Sequence, residues 1–341
     1  MKGGMNFHQS FHSSSPILFP SSVMPNIPVL SSIWKSLTSP DWPRTAVAIS
    51  ETHVALSTLR KRGGEFEPSH LGVLRLPTDL VRASFTELNI SNEAELVEKL
   101  RETVTQAGYR RLRRVAVALP SGSARSLVFT VENLPNDRQE LAQMIEWKIE
   151  RTVGSKISEL RVAYQRLSDF NGKSHWLASA VHARIAEQYE QVFAQLGWQT
   201  GLILPQALGE AQWLMQSEIE DDQALVSLRH DGFDAVIVRG TEPILVREVT
   251  CTPEEREDEF YRIMVFYRDR LMPEQGAAVL SRLLTLGNPH EQSRFREVLI
   301  SALESAAVSL DPSQIGLRVE PSAPFKDFAA ASGLATLAWG S

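Results

Sequence analysis

A two-lobed α/β protein is what this sequence predicts, on three observations. A block of elements occurs twice: strand, tight turn, strand, turn, strand, amphipathic helix, strand runs from Thr45 to Leu119 and returns from Gln223 to Leu284. The stretch between the two copies follows neither and reads as a separate small unit. In both copies a tight turn joins the first two strands, Ser50-Glu51-Thr52-His53 in the first and Arg229-His230-Asp231-Gly232 in the second. Two such halves facing each other across a cleft make the actin-like ATPase fold, two ribonuclease H-like half-domains, here with a small α+β insert in the first half. In that fold, turns at these two places grip the phosphates of a nucleotide.

Each element rests on a local signal. Thr45–Ser50 is nearly continuous in apolar residues, as a central strand covered on both faces should be. His53–Arg60 alternates and runs into the turn Lys61-Arg62-Gly63-Gly64, after which Ser69–Leu76 completes a meander. Ser91 is expected to cap a helix over Asn92–Gln106, whose Ala94, Leu96, Val97, Leu100 and Val104 fall near helical spacing and which Gly108 ends. Strand Val115–Leu119 closes the first block on Pro120. In the insert, a strand over Ser126–Val131 leads through Leu134-Pro135-Asn136-Asp137 into a helix from Arg138 to Thr152. That helix carries Leu141, Met144, Ile145, Ile149 and Val153 on one side, with Trp147 beside them. Strands over Arg161–Leu167 and Trp176–Val181 follow, then a helix Ala183–Leu196 and a strand Trp198–Leu204.

Helix Pro205–Ser217 and the acidic linker Glu218–Asp222 return the chain to the main body. The second block has strands Gln223–Leu228, Phe233–Arg239 and Pro243–Val249, a long helix Pro253–Leu271 and a strand Ala277–Leu284. A helix Glu291–Ala306, a strand Ile315–Val319 and a small-residue helix Asp327–Leu337 finish the chain. The division that results is 44–120 with 201–222 as the first half-domain, 121–200 as the insert and 223–341 as the second half-domain. Residues 1–43 are rich in Ser and Pro, have no acidic residue before Asp41 and lack the uninterrupted apolar core of a signal peptide. They read as a disordered extension or a start codon placed too early; the alternative is a docking peptide whose short apolar patches order on a partner.

Composition removes several function classes. The chain has 341 residues, 43% hydrophobic and 22% charged, with a formal net charge of −6, which gives no electrostatic case for nucleic acid or an anionic membrane. The local exception, Arg110-Arg111-Leu112-Arg113-Arg114, reads as a solvated loop before a buried strand. The one cysteine, Cys251, suits a reducing cytoplasm. No stretch reaches the roughly 18–20 apolar residues of a membrane span, so an attachment to membrane would have to come through another protein. His53, His175, His182 and His230 are scattered without metal-ligand spacing, and neither a Walker loop nor a dinucleotide glycine fingerprint is present. Cys251 has no histidine near it in sequence to activate it. Glu146 and Glu150, one turn apart, could pass for a carboxylate pair but read as solvent-facing partners of Lys148 and Arg151.

Several segments carry a family likeness. Val115-Ala-Val-Ala-Leu-Pro120 is a strand ending in Leu-Pro. Leu134-Pro135 is followed by Glu140-Leu141 and Ile145-Glu146-Trp147-Lys148, and Tyr189–Gly197 by Leu202–Leu208. Arg247-Glu248 comes after the second meander, and Ala331-Ser332-Gly333-Leu334-Ala335 near the end. In order and spacing from Ala46 to Leu337 these resemble the PilM family of type IV pilus assembly proteins, actin-like relatives of the cell-division protein FtsA. The resemblance implies a cytoplasmic component of a pilus machine, peripheral to the inner membrane. It would hold the short cytoplasmic tail of a single-pass membrane protein, PilN, carrying an Asn-Leu-Leu-Pro-like motif, in a groove between the first half-domain and the insert. Strand Ser126–Val131 and helix Arg138–Thr152 would line that groove, with Phe129, Met144 and Trp147 as anchors; the competing reading of those three is core packing.

The departures from the family pattern bear on nucleotide. Where the family has Gly-Ile-Asp-Ile-Gly-x-Ser, this chain has Ala46-Val47-Ala48-Ile49-Ser50-Glu51-Thr52. The acid that would orient a metal-bound water is Ala48, the phosphate-side glycine is Ser50, and Glu51 beside it would repel a triphosphate. The second motif, Val-Asp-Ile-Gly in the family, is Val226-Ser227-Leu228-Arg229, and the adenosine-side glycines are reduced to Leu286-Gly287-Asn288-Pro289, where Asn288 and Pro289 would crowd the base. The expectation is a pseudo-ATPase with no cofactor, acting as an adaptor. The alternatives are an ATP-binding switch or slow ATPase, in which Arg229 and His230 still bind an anion, and an actin-like filament former.

Overall fold

A computed structural model describes residues 42–109, 112–132, 134–217, 219, 221–272, 280–320 and 323–339. The expectations for the extension before residue 42 and for most of the basic cluster's first half lie outside them. Trp42 and Pro43, assigned by sequence to the extension, are packed: Trp42 lies against the central apolar cluster and Pro43 is buried.

The duplication is visible strand by strand. Strands β1 (Thr45–Ile49), β2 (His53–Arg62), β3 (Glu65–Arg75), β4 (Arg114–Leu119) and β8 (Gln199–Pro205) form one sheet in the order β3-β2-β1-β4-β8. Strands β9 (Asp222–Arg229), β10 (Gly232–Arg239), β11 (Glu242–Thr250), β12 (Arg282–Leu286) and β13 (Val308–Ser309) form the other, in the order β11-β10-β9-β12-β13. In each, an antiparallel meander is followed by two strands added in parallel. The smaller third sheet, in the order β5-β7-β6, is built from β5 (Arg125–Val131), β6 (Leu160–Arg166) and β7 (Ser174–His182), all antiparallel.

Side-chain alternation distributes the first sheet between two cores. Val47, Ile49, Val115 and Val117 share a buried cluster with helices α1 (Glu93–Gln106) and α3 (Ala183–Gln195). Ala46, Ala48, Ala116 and Ala118 share another with α4 (Gln206–Met215) and α7 (Phe325–Thr336). The second sheet does the same, setting Leu225, Val236 and Leu284 into that central cluster and Ala224, Val226 and Leu283 against α5 (Arg256–Arg270) and α6 (Pro289–Leu303). Helices α4 and α7 therefore form a shared centre. They approach so closely that a Cβ on Gly333 would lie 2.0 Å from the carbonyl oxygen of Gly209, while Trp213 donates from Nε1 to the Ala329 carbonyl at 3.1 Å.

The insert's sheet packs with helix α2 (Arg138–Val153) around Val131, Ile145, Ile149, Trp176 and Ala178, joined by Phe85 from the loop after β3. Asp137 caps α2 by accepting from the Glu140 backbone, and Gly154 ends it in the left-handed region. The sequence division at 121–200 places α3 in the insert; its buried Ile185, Tyr189, Val192 and Phe193 pack in the first sheet's cluster with α1.

Two local expectations change. Asn92 rather than Ser91 caps α1, accepting from the Glu95 backbone. The strand expected over Ile315–Val319 is reduced to one bridge between Leu317 and Phe66: a single helical turn, Pro312–Ile315, started by Asp311 through a capping box and stopped by Gly316, takes its first residue. Among the described residues no helix is long and apolar enough to cross a membrane.

Candidate functional site

The cleft lies where the two hairpin turns meet. In the first, Ser50 Oγ accepts from the backbone N–H of His53 at 3.0 Å and sits 2.9 Å from His53 Nδ1, so the hydroxyl closes its own turn. Glu51 accepts from the Ala83 backbone N–H at 2.8 Å, and its other oxygen lies 3.5 Å from His230 Nδ1 of the second turn. Ala48 is buried in the central cluster. In the second turn Arg229 is held on several sides: it donates to Asp231 at 3.1 Å, to Asp234 and to the Val249 carbonyl at 3.3 Å, with Glu248 at 3.7 Å. Asp234 also accepts from Ser121 Oγ, in the loop leaving β4, and Glu248 accepts from Arg125 at 2.6 Å. Gly232 permits the turn, since a Cβ there would sit 1.9 Å from the Val249 carbonyl oxygen at a φ of +150°.

The floor of the cleft is acidic and buried. Ser227 and Asp234 face each other across the β9–β10 pair, both buried, and Glu210 of α4 is 1% exposed. Burial pushes the Glu210 carboxyl up to about 8; a hydrogen bond from Gln206 pulls against that and the nearby Asp234 adds to it. The Asp234 carboxyl is likewise raised by burial, against the pull of Arg229 and Ser121. At the position expected to lie on the adenosine side, Gly287 packs so tightly that a Cβ would meet Leu228 Cδ1 at 2.5 Å. Asn288 and Pro289 start helix α6, Asn288 forming a capping box with Glu291, and Glu291 pairs with Arg256 at 3.1 Å. Among the described residues no cluster of three or more histidine, cysteine or carboxylate side chains is placed to hold a metal.

No protein-family model and no curated protein matches the chain. Among solved structures, the PilM-PilN type IV pilus biogenesis complex superposes with a TM-score of 0.69 over 87% of this chain and 99% of that one, at 16% identity. The fold is actin-like. A Bacteroides thetaiotaomicron protein with an actin-like ATPase fold gives a TM-score of 0.49 at 11% identity, over 86% of this chain and 97% of that one. The cytoplasmic domain of EpsL, an inner-membrane component of the Vibrio cholerae type II secretion system, gives 0.44 at 12% identity, over 87% and 94%.

Six positions expected from the sequence to depart from the family's nucleotide motifs separate by place. Glu51, Ser50, Ser227 and Arg229 gather at the cleft, Ala48 belongs to the core and Gly287 to the packing behind α6. Sequence reasoning missed Asp234 and Glu210, the two most buried acids of the site. Their signals were present: a carboxylate inside the apolar run Phe233–Val238 and another inside Ala207–Leu214.

The three residues expected to anchor a partner lie elsewhere, on the insert. Phe129 is half-buried on β5 with the Lys148 ammonium over its ring, Met144 packs against the insert's core, and Trp147 is 56% exposed with the Arg151 guanidinium 5.3 Å from its ring centre. Lys148 and Arg151, read by sequence as partners of Glu146 and Glu150, turn to these aromatic rings, and Lys148 also donates to the Thr130 carbonyl.

Proposed function

We propose that this protein is a non-catalytic adaptor of a type IV pilus assembly machine, which does not use ATP and holds the cytoplasmic tail of a PilN-like inner-membrane protein against its insert. The observation that carries the reading is the pairing of Arg229 with Asp231 and Asp234 and of Glu51 with His230, at the two turns where phosphates would sit. The residues present do not fit a magnesium nucleotide. Arg229, which could meet a phosphate, is already paired with Asp231 and Asp234, and Glu51 at the first turn would repel one. The likeness to the PilM component of a PilM-PilN complex supports the partner, and the insert offers Trp147 as an exposed aromatic anchor with Phe129 and Met144 behind it. On this reading the protein works at the cytoplasmic face of the inner membrane, attached through its partner.

Two measurements test it. A ligand that binds only the folded state at one hundred times its Kd stabilises by about 2.7 kcal/mol, a melting shift of several degrees. Millimolar Mg-ATP is expected to leave the melting temperature unchanged, and a clear rise would turn the reading towards an ATP-dependent switch. A synthetic peptide carrying the Asn-Leu-Leu-Pro-like motif of a PilN-like cytoplasmic tail is expected to bind, and no binding by calorimetry would count against the adaptor.

A further inference from the structure

Among the described residues three contacts cross the cleft at the turns, leaving the first half and the insert set into it from different segments. Glu51 comes from the β1–β2 turn, Ser121 from the loop after β4, and Arg125 from the first residue of β5. They meet three neighbouring strands of the second half: His230 just past β9, Asp234 on β10 and Glu248 on β11. Gly122 lets the loop come close, since a Cβ there would lie 3.3 Å from Glu248 Oε1. Arg229 stands behind these contacts and links the two carboxylates, bonded to Asp234 and 3.7 Å from Glu248. With Asp234 3% exposed, the centre of this network is shielded from solvent, where charge-assisted hydrogen bonds are stronger than at a surface.

We propose that these contacts act as a clasp: the two halves are fastened at the cleft by their own side chains, and their closure is set without any bound ligand. In an actin-like cleft a nucleotide touches both turns and so ties one half to the other. Here Arg125–Glu248, Ser121–Asp234 and Glu51–His230 span the same gap directly. The clasp goes beyond the adaptor reading, because it concerns how the body is held rather than what the insert binds.

The test is a charge swap read as a distance. Paired spin labels on Gln106→Cys of α1 and Glu297→Cys of α6, both exposed and in different halves, with Cys251→Ser, report the separation of the halves. The clasp requires Arg125→Glu and Glu248→Arg each to broaden the distance distribution towards longer values, and the double swap to restore it. A distribution that stays narrow and unchanged in both single reversals overturns the clasp, as does a double swap as broad as the singles. Should a reversal fail to fold, Glu248→Gln and Ser121→Ala replace it, with the same shift expected and an unchanged distribution overturning the proposal. The measurement contains neither nucleotide nor peptide, so its failure leaves the ATP and tail-binding tests to judge the adaptor separately.

Discussion

In the cleft, Arg229 is bonded to Asp231 and Asp234, and Glu51 to the Ala83 backbone, before any ligand arrives. On the outer face of α2, Trp147 stands 56% exposed with only Arg151 over its ring, and Leu134 is exposed at the foot of the same helix. The contrast follows from what each environment charges for disorder. A buried charge without a partner costs several kcal/mol, so a cleft relieved of nucleotide would have to pair its residues internally or lose stability. An exposed indole loses little in the free protein and contributes only when something covers it, which is how interface anchors behave. The two regions therefore respond to mutation in opposite ways: changes in the cleft should register in stability, and changes on the insert face in binding.

The largest effect is expected at the shared centre that both regions rest on. Trp213 is 1% exposed, meets Phe66 and Phe325 edge-on and donates to the Ala329 carbonyl. Trp213→Ala should cost about 3–5 kcal/mol in urea unfolding, and a loss under about 1 kcal/mol would mean that the halves are not held by α4 and α7. Next comes Asp234→Ala, which leaves Arg229 and Ser121 facing an apolar gap. Removing one member of a buried pair costs about 3 kcal/mol, whereas Asp234→Asn keeps a hydrogen-bond acceptor and should lose less. Equal losses for the two variants would argue that charge plays no part.

Glu210 gives the same contrast a pH axis. In the unfolded chain its carboxyl ionises near its ordinary 4.5, whereas in the folded protein burial holds the proton to about 8. Between those values the native state binds more protons than the unfolded one, so Glu210 makes stability fall as pH rises through that window. Glu210→Gln, neutral at every pH, should therefore be indistinguishable from the parent at the acid end and more stable by on the order of a few kcal/mol at pH 8 and above. Urea melts at the two ends of the window measure this, and an equal difference at both would show that the carboxyl is ionised throughout.

The parts of this protein legible in its sequence are those written in short-range pattern. The two meanders announced themselves by alternation and by turns such as Gly63-Gly64, and the sheets follow the duplicated order. The departures of Ser50, Glu51 and Arg229 from the resembled family's motifs are equally plain in the sequence. The contacts across the cleft are not, because Ser121 and Asp234 are 113 positions apart and Arg125 and Glu248 are 123 apart, so only the fold brings them together. The strand expected over Ile315–Val319 shrinks to the Leu317–Phe66 bridge for a local reason: its apolar alternation is real, but the helical turn begun at Asp311-Pro312 takes Ile315 and Gly316 follows in the left-handed region. Phe129 and Met144 show the remaining difficulty. Helical spacing marks a residue as apolar-facing without saying whether the insert's own core or a partner is what it faces.

The smallest effect on stability is expected where the effect on binding is largest. Trp147→Ala removes an exposed ring whose intramolecular contact is the stack under Arg151, so unfolding free energy should change by no more than about 0.5 kcal/mol. If the insert face takes the partner's tail, the same substitution should weaken peptide binding by tenfold or more, the loss that follows when an aromatic anchor worth at least about 1.4 kcal/mol is cut away. Met144→Ala offers the internal comparison, since it packs against the insert's core and should cost stability as well as affinity. Unaltered peptide affinity in Trp147→Ala alongside a bound tail would take Trp147 out of the groove and leave the tail on the side of the insert that faces the first half, as the family resemblance implies, where Phe85 meets the insert's core.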